Sequence, residues 1–366
     1  MDNITITIPE GTDLNSLEEQ PGPAATTHEA APEAQRPTTT RAILAQLLEA
    51  LEEVDFTAEL GTDFKQKHII VLVIDKVLKA AKGKAWGLAK QFDFIYLYTG
   101  KHWQQLERDE MKVFLSNAAI RLGYSPNESR YYEFSDKLFK QFLAVGHLPT
   151  PEPDTSRTLI NLQNGTFEVT PKGWKLREHR PEDFLTYLLP FEYIEHAQAP
   201  KFSAYLEKVL PDKSAQAVLA EYMVYVFTRH LKLEKCLLLY GDGANGKSVF
   251  FEIVRALLGP ENVCSYSLGS LSEEHNRAQL AGKLLNYGSE IRNGIDRDIF
   301  KALASGEPIQ ARLKYGNSFL LESYARLCFN ANELPKDVEH TEAYFRRFAI
   351  VPFSVTIPEA ERIPDL

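Results

Sequence analysis

The stretch Cys236–Gly259, CLLLYGDGANGKSVFFEIVRALLG, holds the residues whose types and spacing point most directly to chemistry. Gly241, Gly246, Lys247 and Ser248 fit the spacing G-x-x-x-x-G-K-[ST], with Asp242, Gly243, Ala244 and Asn245 at the intervening positions. Glycines let the backbone curl until successive N–H groups face one phosphate group. A helix starting at the lysine adds the partial positive charge of its N-terminus. In such a loop Lys247 reaches the β- and γ-phosphates of a nucleotide such as ATP, and the Ser248 hydroxyl takes one position on Mg2+. The flanks agree with this reading. Cys236–Tyr240 is a short apolar run of the buried-strand type, and Val249, Phe250, Ile253, Val254 and Leu257 recur at helical spacing up to Gly259.

Hydrolysis needs further groups, and three candidates follow in order. KLLNYGSEI ends an apolar run at Glu290, 43 positions after Lys247. A carboxylate at the end of a strand beside the phosphate-loop strand holds the Mg2+ shell and polarises an attacking water. Next, FKALASGEPIQARLKYGNSFLLES reads as a helix ending at Gly306 and then two strands around a turn at Tyr315-Gly316-Asn317, with Arg312, Lys314 and Tyr315 clustered there. A cationic hairpin with an aromatic tip suits a nucleic-acid backbone; the plainer alternative is a surface hairpin with solvated cations. Finally, ARLCFNANELP is an apolar strand leading to Asn332, whose amide suits a water or a γ-phosphate oxygen, and TEAYFRRFAIVPF sets Arg346 and Arg347 before a β-like run. Paired arginines are commonly salt-bridge donors; they also suit the γ-phosphate of a neighbouring subunit, where a rigid guanidinium stabilises the transition state.

The elements that must position these groups are legible in outline. Residues 1–40 are rich in Pro, Ala, Thr and Glu and carry seven acids against one base, a composition that predicts a disordered tail. The formal charge of −9 falls mainly there, leaving −3 for the remainder, so a broad basic face for duplex DNA is not expected. Residues 41–150 read as a small α+β accessory domain. Helices are predicted over about 41–51, over 64–82 with a left-handed cap at Gly83, and over 108–122 and 133–144. A hairpin is predicted with strands Phe94–Tyr98 and His102–Leu106 turning at Thr99-Gly100. Its aromatics Phe94, Tyr96, Tyr98 and Trp103 read first as the hairpin's own core and second as a base-stacking surface. Pro149, Pro151 and Pro153 mark a linker. Residues 151–232 then hold a hairpin turning at Asn164-Gly165 and helices near 202–209 and 214–230, leading into a core over 233–366. No run of about 18 apolar residues suggests a membrane span. Three scattered cysteines suggest no disulfide framework and fit a reducing cytoplasm.

From about residue 155 to 353 the chain resembles the superfamily III helicase domain of phage and plasmid primase-helicases, a branch of the AAA+ ATPases. The likeness is carried by NLQNGTFEV, PEDFLTYLLPFEY, GDGANGKS, NYGSEI, KALASGEPIQAR, FNANELP and FRRFAIVPF, in that order. The resemblance implies an α/β fold, an AAA+-like phosphate-loop core with a mostly parallel sheet flanked by helices. It implies a homo-oligomer, a hexameric ring that hydrolyses ATP with Mg2+ at subunit interfaces and moves along single-stranded or forked DNA alongside other replication proteins. Lys247 and Ser248 then belong to the Walker A motif, Glu290 to Walker B, Asn332 to the sensor, Arg346 or Arg347 to the arginine finger, and Lys314 with its neighbours to the pore hairpin. Two departures stand out. Ser289 precedes a single acid where Walker B often carries two, and the chain ends 19 residues after Arg347 where members of that family usually continue, so a truncated or naturally short form is expected. No primer synthesis is expected. The alternatives from other classes are a nucleotide-binding scaffold that does not translocate and a small-molecule phosphotransferase.

Overall fold

A computed structural model describes residues 39–84, 87–91, 94–146, 154–288, 296–314, 316–332 and 342–359, all within the unit Pro37–Leu366. The expected tail and the proline linker lie outside the described residues. The first core is helical. Thr39 caps α1 (Thr40–Glu49) by accepting the Ala42 N–H, and Ile43, Leu44 and Leu47 form its buried stripe. After the short α2 (Phe56–Leu60), α3 (Gln66–Gly83) buries Ile69, Ile70, Val73, Ile74, Val77 and Ala81 at the three- and four-residue spacing of one helix face. α4 (Arg108–Arg121), α5 (Pro126–Ser129) and α6 (Tyr132–Val145) complete this core with Phe114, Leu115, Phe134, Leu138 and Phe142. The left-handed cap expected at Gly83 does not form. α3 runs through Gly83, and the Lys84 N–H (φ −93°) satisfies the Ala80 carbonyl instead.

A three-stranded antiparallel sheet joins this core to the rest: β1 (Leu88–Gln91), β2 (Phe94–Tyr98) and β3 (Trp103–Leu106). The sequence reading found β2 and β3 and missed β1. All five β2 residues are buried, because the strand's alternation serves two cores. Ile95 and Leu97 face the helices, while Phe94, Tyr96 and Tyr98 join Trp103, Phe184, Leu313 and Phe319 in a separate cluster. The hairpin aromatics are therefore core, and the base-stacking alternative falls away.

β4 (Thr158–Leu162), β5 (Gly165–Thr170) and β6 (Gly173–Arg177) form a second antiparallel sheet. Leu162 pairs with Gly165, so the turn residues are Gln163-Asn164, one position earlier than expected, and Gly165 alone takes the positive φ. Arg177 ties this sheet to the turn after it, donating to Glu168 at 2.6 Å and to both Asp183 oxygens at 2.8 and 2.9 Å. α7 (Pro200–Val209) and α8 (Lys213–Phe227) follow.

The last sheet is fully parallel in the order β13-β7-β12-β9-β8. β7 (Cys236–Tyr240) is central enough to be buried on both faces, with Cys236 and Leu238 in one core and Leu237 and Leu239 in the other, which is why its sequence is an unbroken apolar run. α9 (Lys247–Leu258), β8 (Val263–Cys264), α10 (Glu274–Ala278), β9 (Leu285–Gly288) and α11 (Arg297–Ser305) follow. Gly306 caps α11 in the left-handed conformation, as expected. The antiparallel pair β10 (Ile309–Arg312) and β11 (Ser318–Leu321) stands apart from the parallel sheet, and β12 (Arg326–Ala331), α12 (Glu342–Phe345) and β13 (Phe348–Pro352) complete the order. One expectation is corrected here. The strand leading to Glu290, β9, is not beside β7; β12 lies between them. Among the described residues no helix is long and apolar enough to cross a membrane.

Candidate functional site

The candidate phosphate-loop residues, Gly241–Ser248, form one continuous curl from β7 into α9. Gly241 (φ 153°), Ala244 (φ 59°) and Gly246 (φ 89°) all hold positive φ. A Cβ on Gly241 would lie 2.2 Å from the Phe353 carbonyl oxygen, and one on Gly246 would lie 2.8 Å from Val209 Cγ1. Gly243 has open space around it, the surface that a ligand's phosphates need. Ala244 sits in the left-handed region at a cost of about 1–2 kcal/mol, strain of the kind held by surrounding contacts at functional sites. Those contacts are present: the Ile357 N–H donates to Ala244 O at 2.8 Å, and the buried Asn245 amide donates to Phe353 O at 2.8 Å. From the other side, α7 supports the loop through Tyr205 Oη, which donates to Gly246 O at 2.8 Å.

Lys247 Nζ donates to Gly241 O (2.5 Å), Asp242 O (2.9 Å) and Asn245 Oδ1 (3.0 Å), so the ammonium spans the loop. Burial pulls its pKa below the usual lysine range, while nearby Asp242 acts in the opposite sense. Asp242, Gly243 and Ala244 are exposed, as is Ser248 in the first turn of α9. A twelve-residue helix, curled N–H groups and one partly desolvated cation together suit a polyphosphate anion. The hydroxyl of Ser248 would offer one oxygen to a divalent cation there.

β12 carries the next candidate to this loop. Ala331 O accepts the Gly241 N–H at 3.1 Å, so exposed Asn332 immediately follows the residue bonded to the start of the loop. One residue earlier, Asn330 Oδ1 accepts a 3.0 Å hydrogen bond from Tyr287 on β9. Glu290 and Ser289 lie outside the described residues; β9, which leads to them, ends at Gly288 opposite Phe329.

The expected two strands form an antiparallel hairpin in which Ile309 pairs with Leu321 and Arg312 with Ser318. Lys314 lies exposed in the connecting loop, and Tyr315 lies outside the described residues. Arg312 Nε is 3.6 Å from Glu274 Oε2, which also accepts from Ser318. Arg277 fastens the hairpin from behind, donating to Gln310 O at 2.8 Å and to Leu271 O and Ser272 O. Phe319 packs edge-on against Phe94, with ring centroids 5.7 Å apart, so the accessory sheet also braces the hairpin. A cavity of about 480 Å³ beside the turn is lined by His275, Arg312, Leu313, Lys314 and Gly316.

The two arginines are unlike each other. Arg347 leaves 10% of its side chain exposed; its Nε donates to Ser305 Oγ at 3.4 Å, and its carbonyl accepts the Cys236 N–H at 2.7 Å. Arg346 leaves 60% exposed. Both stand where β13 begins beside the first residue of β7, at the edge of the sheet opposite the phosphate loop. The length of β7 separates that edge from the loop by about 13 Å.

Residues that the sequence reading missed include Tyr205 and Val209 on α7, Arg277, Glu274 and His275 on α10, and Glu234. None has a motif to mark it; each acts through a contact distant in sequence. The three cysteines serve packing. Cys236 and Cys328 are buried on opposite faces of the parallel sheet, where burial pushes their thiols well up, and burial raises the Cys264 thiol to about 12.

Residues 239–347 match a family of unknown function (DUF5906), and residues 75–211 match the D5 N terminal like family. The chain is 24% identical over 214 residues to "Putative helicase L207/L206" of Acanthamoeba polyphaga mimivirus, covering 55% of this chain and 22% of that protein. It is 22% identical over 231 residues to "Putative helicase 121R" of Invertebrate iridescent virus 3, covering 58% of this chain and 24% of that protein. The alignments thus span less than a quarter of either relative. Among solved structures, two apo structures of the NrS-1 C terminal region overlay 75% and 81% of this chain, and 60% and 64% of their own, with TM-scores of 0.45 and 0.48 and identities of 11% and 10%. The chain is therefore similar, over somewhat more than half its length, to helicase-named viral proteins, and its residues 75–211, ahead of the parallel sheet, are similar to the D5 N terminal like family.

Proposed function

We propose that this chain is the motor part of an ATP-dependent DNA helicase of the superfamily III, AAA+ type, working as a hexameric ring in replication of a phage, plasmid or integrated element. The observation that carries the reading is the curl of Gly241–Ser248 between β7 and α9, with the Lys247 ammonium drawn across it. Lys247 would hold the β- and γ-phosphates, and the loop N–H groups would cradle their oxygens. Ser248 and Glu290 would hold Mg2+, which when bound neutralises charge on the phosphate oxygens. Asn332, delivered by β12 beside the loop, orients the attacking water.

Arg346 supports the ring. It lies across the sheet from its own loop, too far to serve that loop, and is exposed enough to serve a second copy. Arg312, Lys314 and Tyr315 would grip single-stranded DNA through its phosphates, on a hairpin stiffened by Arg277.

The test is ATP hydrolysis with and without single-stranded DNA, with particle mass followed by light scattering. The expected result is DNA-stimulated turnover in assemblies of about six chains, abolished by Lys247→Ala. Nucleotide binding with neither stimulation nor assembly would refute the motor, and unchanged turnover in Lys247→Ala would refute the site.

A further inference from the structure

Three consecutive residues at the foot of the phosphate-loop strand grip the two arginines. Glu234 Oε2 lies 3.7 Å from Arg346 Nη2 and 3.6 Å from Arg347 Nη2. Lys235 Nζ donates to the Arg346 carbonyl, and the Cys236 N–H donates to the Arg347 carbonyl, opening the β7–β13 ladder. Glu234 reaches this position in the left-handed conformation, φ 55°, which a side chain with a Cβ adopts only when its surroundings hold it there.

We propose that Glu234 is a positioning residue for the arginine finger, orienting the exposed Arg346 guanidinium toward a neighbouring copy while Arg347 anchors the same carboxylate from inside the fold. This rests on the reading of Arg346 given above.

The asymmetry of the pair supports that division. Arg347 is nearly enclosed and has a second partner in Ser305, so it has little freedom to reach outward. Arg346 has an exposed, rotamer-rich side chain, and a finger with that freedom loses orientation at each turnover. A carboxylate at its side limits the arrangements from which it must be selected, which is how positioning residues raise a rate without touching substrate. Glu234 also lies two residues before the start of β7, and β7 runs directly to Gly241. The strand that carries a subunit's own phosphate loop therefore begins two residues after the one that holds the finger it lends to its neighbour.

The experiment compares Glu234→Gln, Glu234→Asp and Arg346→Ala in the full chain, measuring kcat and KM for ATP with single-stranded DNA present and the urea unfolding midpoint. Glu234→Gln is expected to lower kcat by roughly 10- to 100-fold, the range that misplacement of a catalytic group produces, with KM unchanged and the midpoint lowered no further than in Arg347→Ala, so that the variant stays folded in the assay. Glu234→Asp, which keeps the charge, restores part of that loss. Wild-type kcat in Glu234→Gln, or a loss of rate no greater than the fraction of that variant unfolded under the assay conditions, overturns the proposal. If Arg346→Ala is inactive while Glu234→Gln is not impaired, the positioning role alone fails. If Arg346→Ala turns over normally, or the wild-type chain does not turn over, the finger reading fails and this role with it.

Discussion

Replacing Arg346 and Arg347 separately by alanine should split two properties that motif reading leaves joined. Arg347 leaves 10% of its side chain exposed, pairs with Glu234 at 3.6 Å and donates to Ser305. Breaking a fully buried pair by removing one partner costs about 3–5 kcal/mol. Glu234 is half exposed, so solvent screens the carboxylate left behind, and roughly 1–3 kcal/mol is expected for Arg347→Ala. Arg346, 60% exposed, makes only a screened pair at 3.7 Å, worth about 0–1 kcal/mol. Turnover should show the reverse order. Loss of an arginine finger costs about 10³–10⁵ in rate, or roughly 4–7 kcal/mol of transition-state stabilisation. The assay pairs urea unfolding with steady-state ATP hydrolysis, and affinity for a fluorescent ATP analogue verifies that binding survives. Arg346→Ala should keep stability and affinity while losing turnover; Arg347→Ala should lose stability first. If Arg347→Ala is as stable as wild type but inactive, while Arg346→Ala remains active, the roles drawn from exposure and partners are wrong.

Two further outcomes follow from positions outside that pair. Gly246→Ala places a methyl 2.8 Å from Val209 Cγ1 at φ 89°, so about 1–2 kcal/mol of backbone strain adds to an overlap of about 1–3 kcal/mol. Urea unfolding should show the loss, Val209→Ala should recover only the overlap part, and Gly243→Ala, with open space, should be harmless; wild-type stability in Gly246→Ala would contradict the geometry. Burial, with His179 and Lys101 adding repulsion, pushes the His102 imidazole down to about 4. Its pKa in the unfolded chain is near 6.5, so between those values the unfolded state binds more protons and stability falls as pH falls. About 2 kcal/mol should be lost between pH 7 and pH 5 on this account, and His102→Gln should flatten that slope; equal slopes in the two proteins would refute it.

What was legible before any coordinates depended on whether a local pattern had one structural meaning. The spacing of Gly241, Gly246, Lys247 and Ser248, an apolar run before it and helical periodicity after it all speak for the same strand–loop–helix, and the loop forms where expected. The helices expected over 108–122 and 133–144 form within a residue of those bounds as α4 and α6. The turn at Asn164-Gly165 slipped by one position because register depends on which residues face Leu162 and Arg177 across the sheet, and nothing within the turn sets that. β1 went unseen because LAKQ has no alternation; Leu88 and Ala89 are placed on opposite cores by pairing with β2.

The site shows the same boundary more sharply. Chain order places β9 before β12, and reading along the chain invites the assumption that β9 is the nearer neighbour of β7. The hydrogen bonding reverses this: Cys328–Ala331 pairs with Leu237–Tyr240, and β9 attaches only to the far side of β12. The consequence is chemical. Asn332 follows directly from a residue bonded to Gly241, whereas the strand carrying the chain toward Glu290 runs one position further out. By the same logic, parallel pairing of β13 with β7 decides which end of the sheet the arginines occupy. An antiparallel β13 would have brought Arg346 toward the loop after its own β7; the parallel one leaves it at the opposite end of that strand, which on the proposed reading is where a second chain would meet it. Motif content therefore names candidate groups for chemistry, and strand direction decides which end of the sheet each of them occupies.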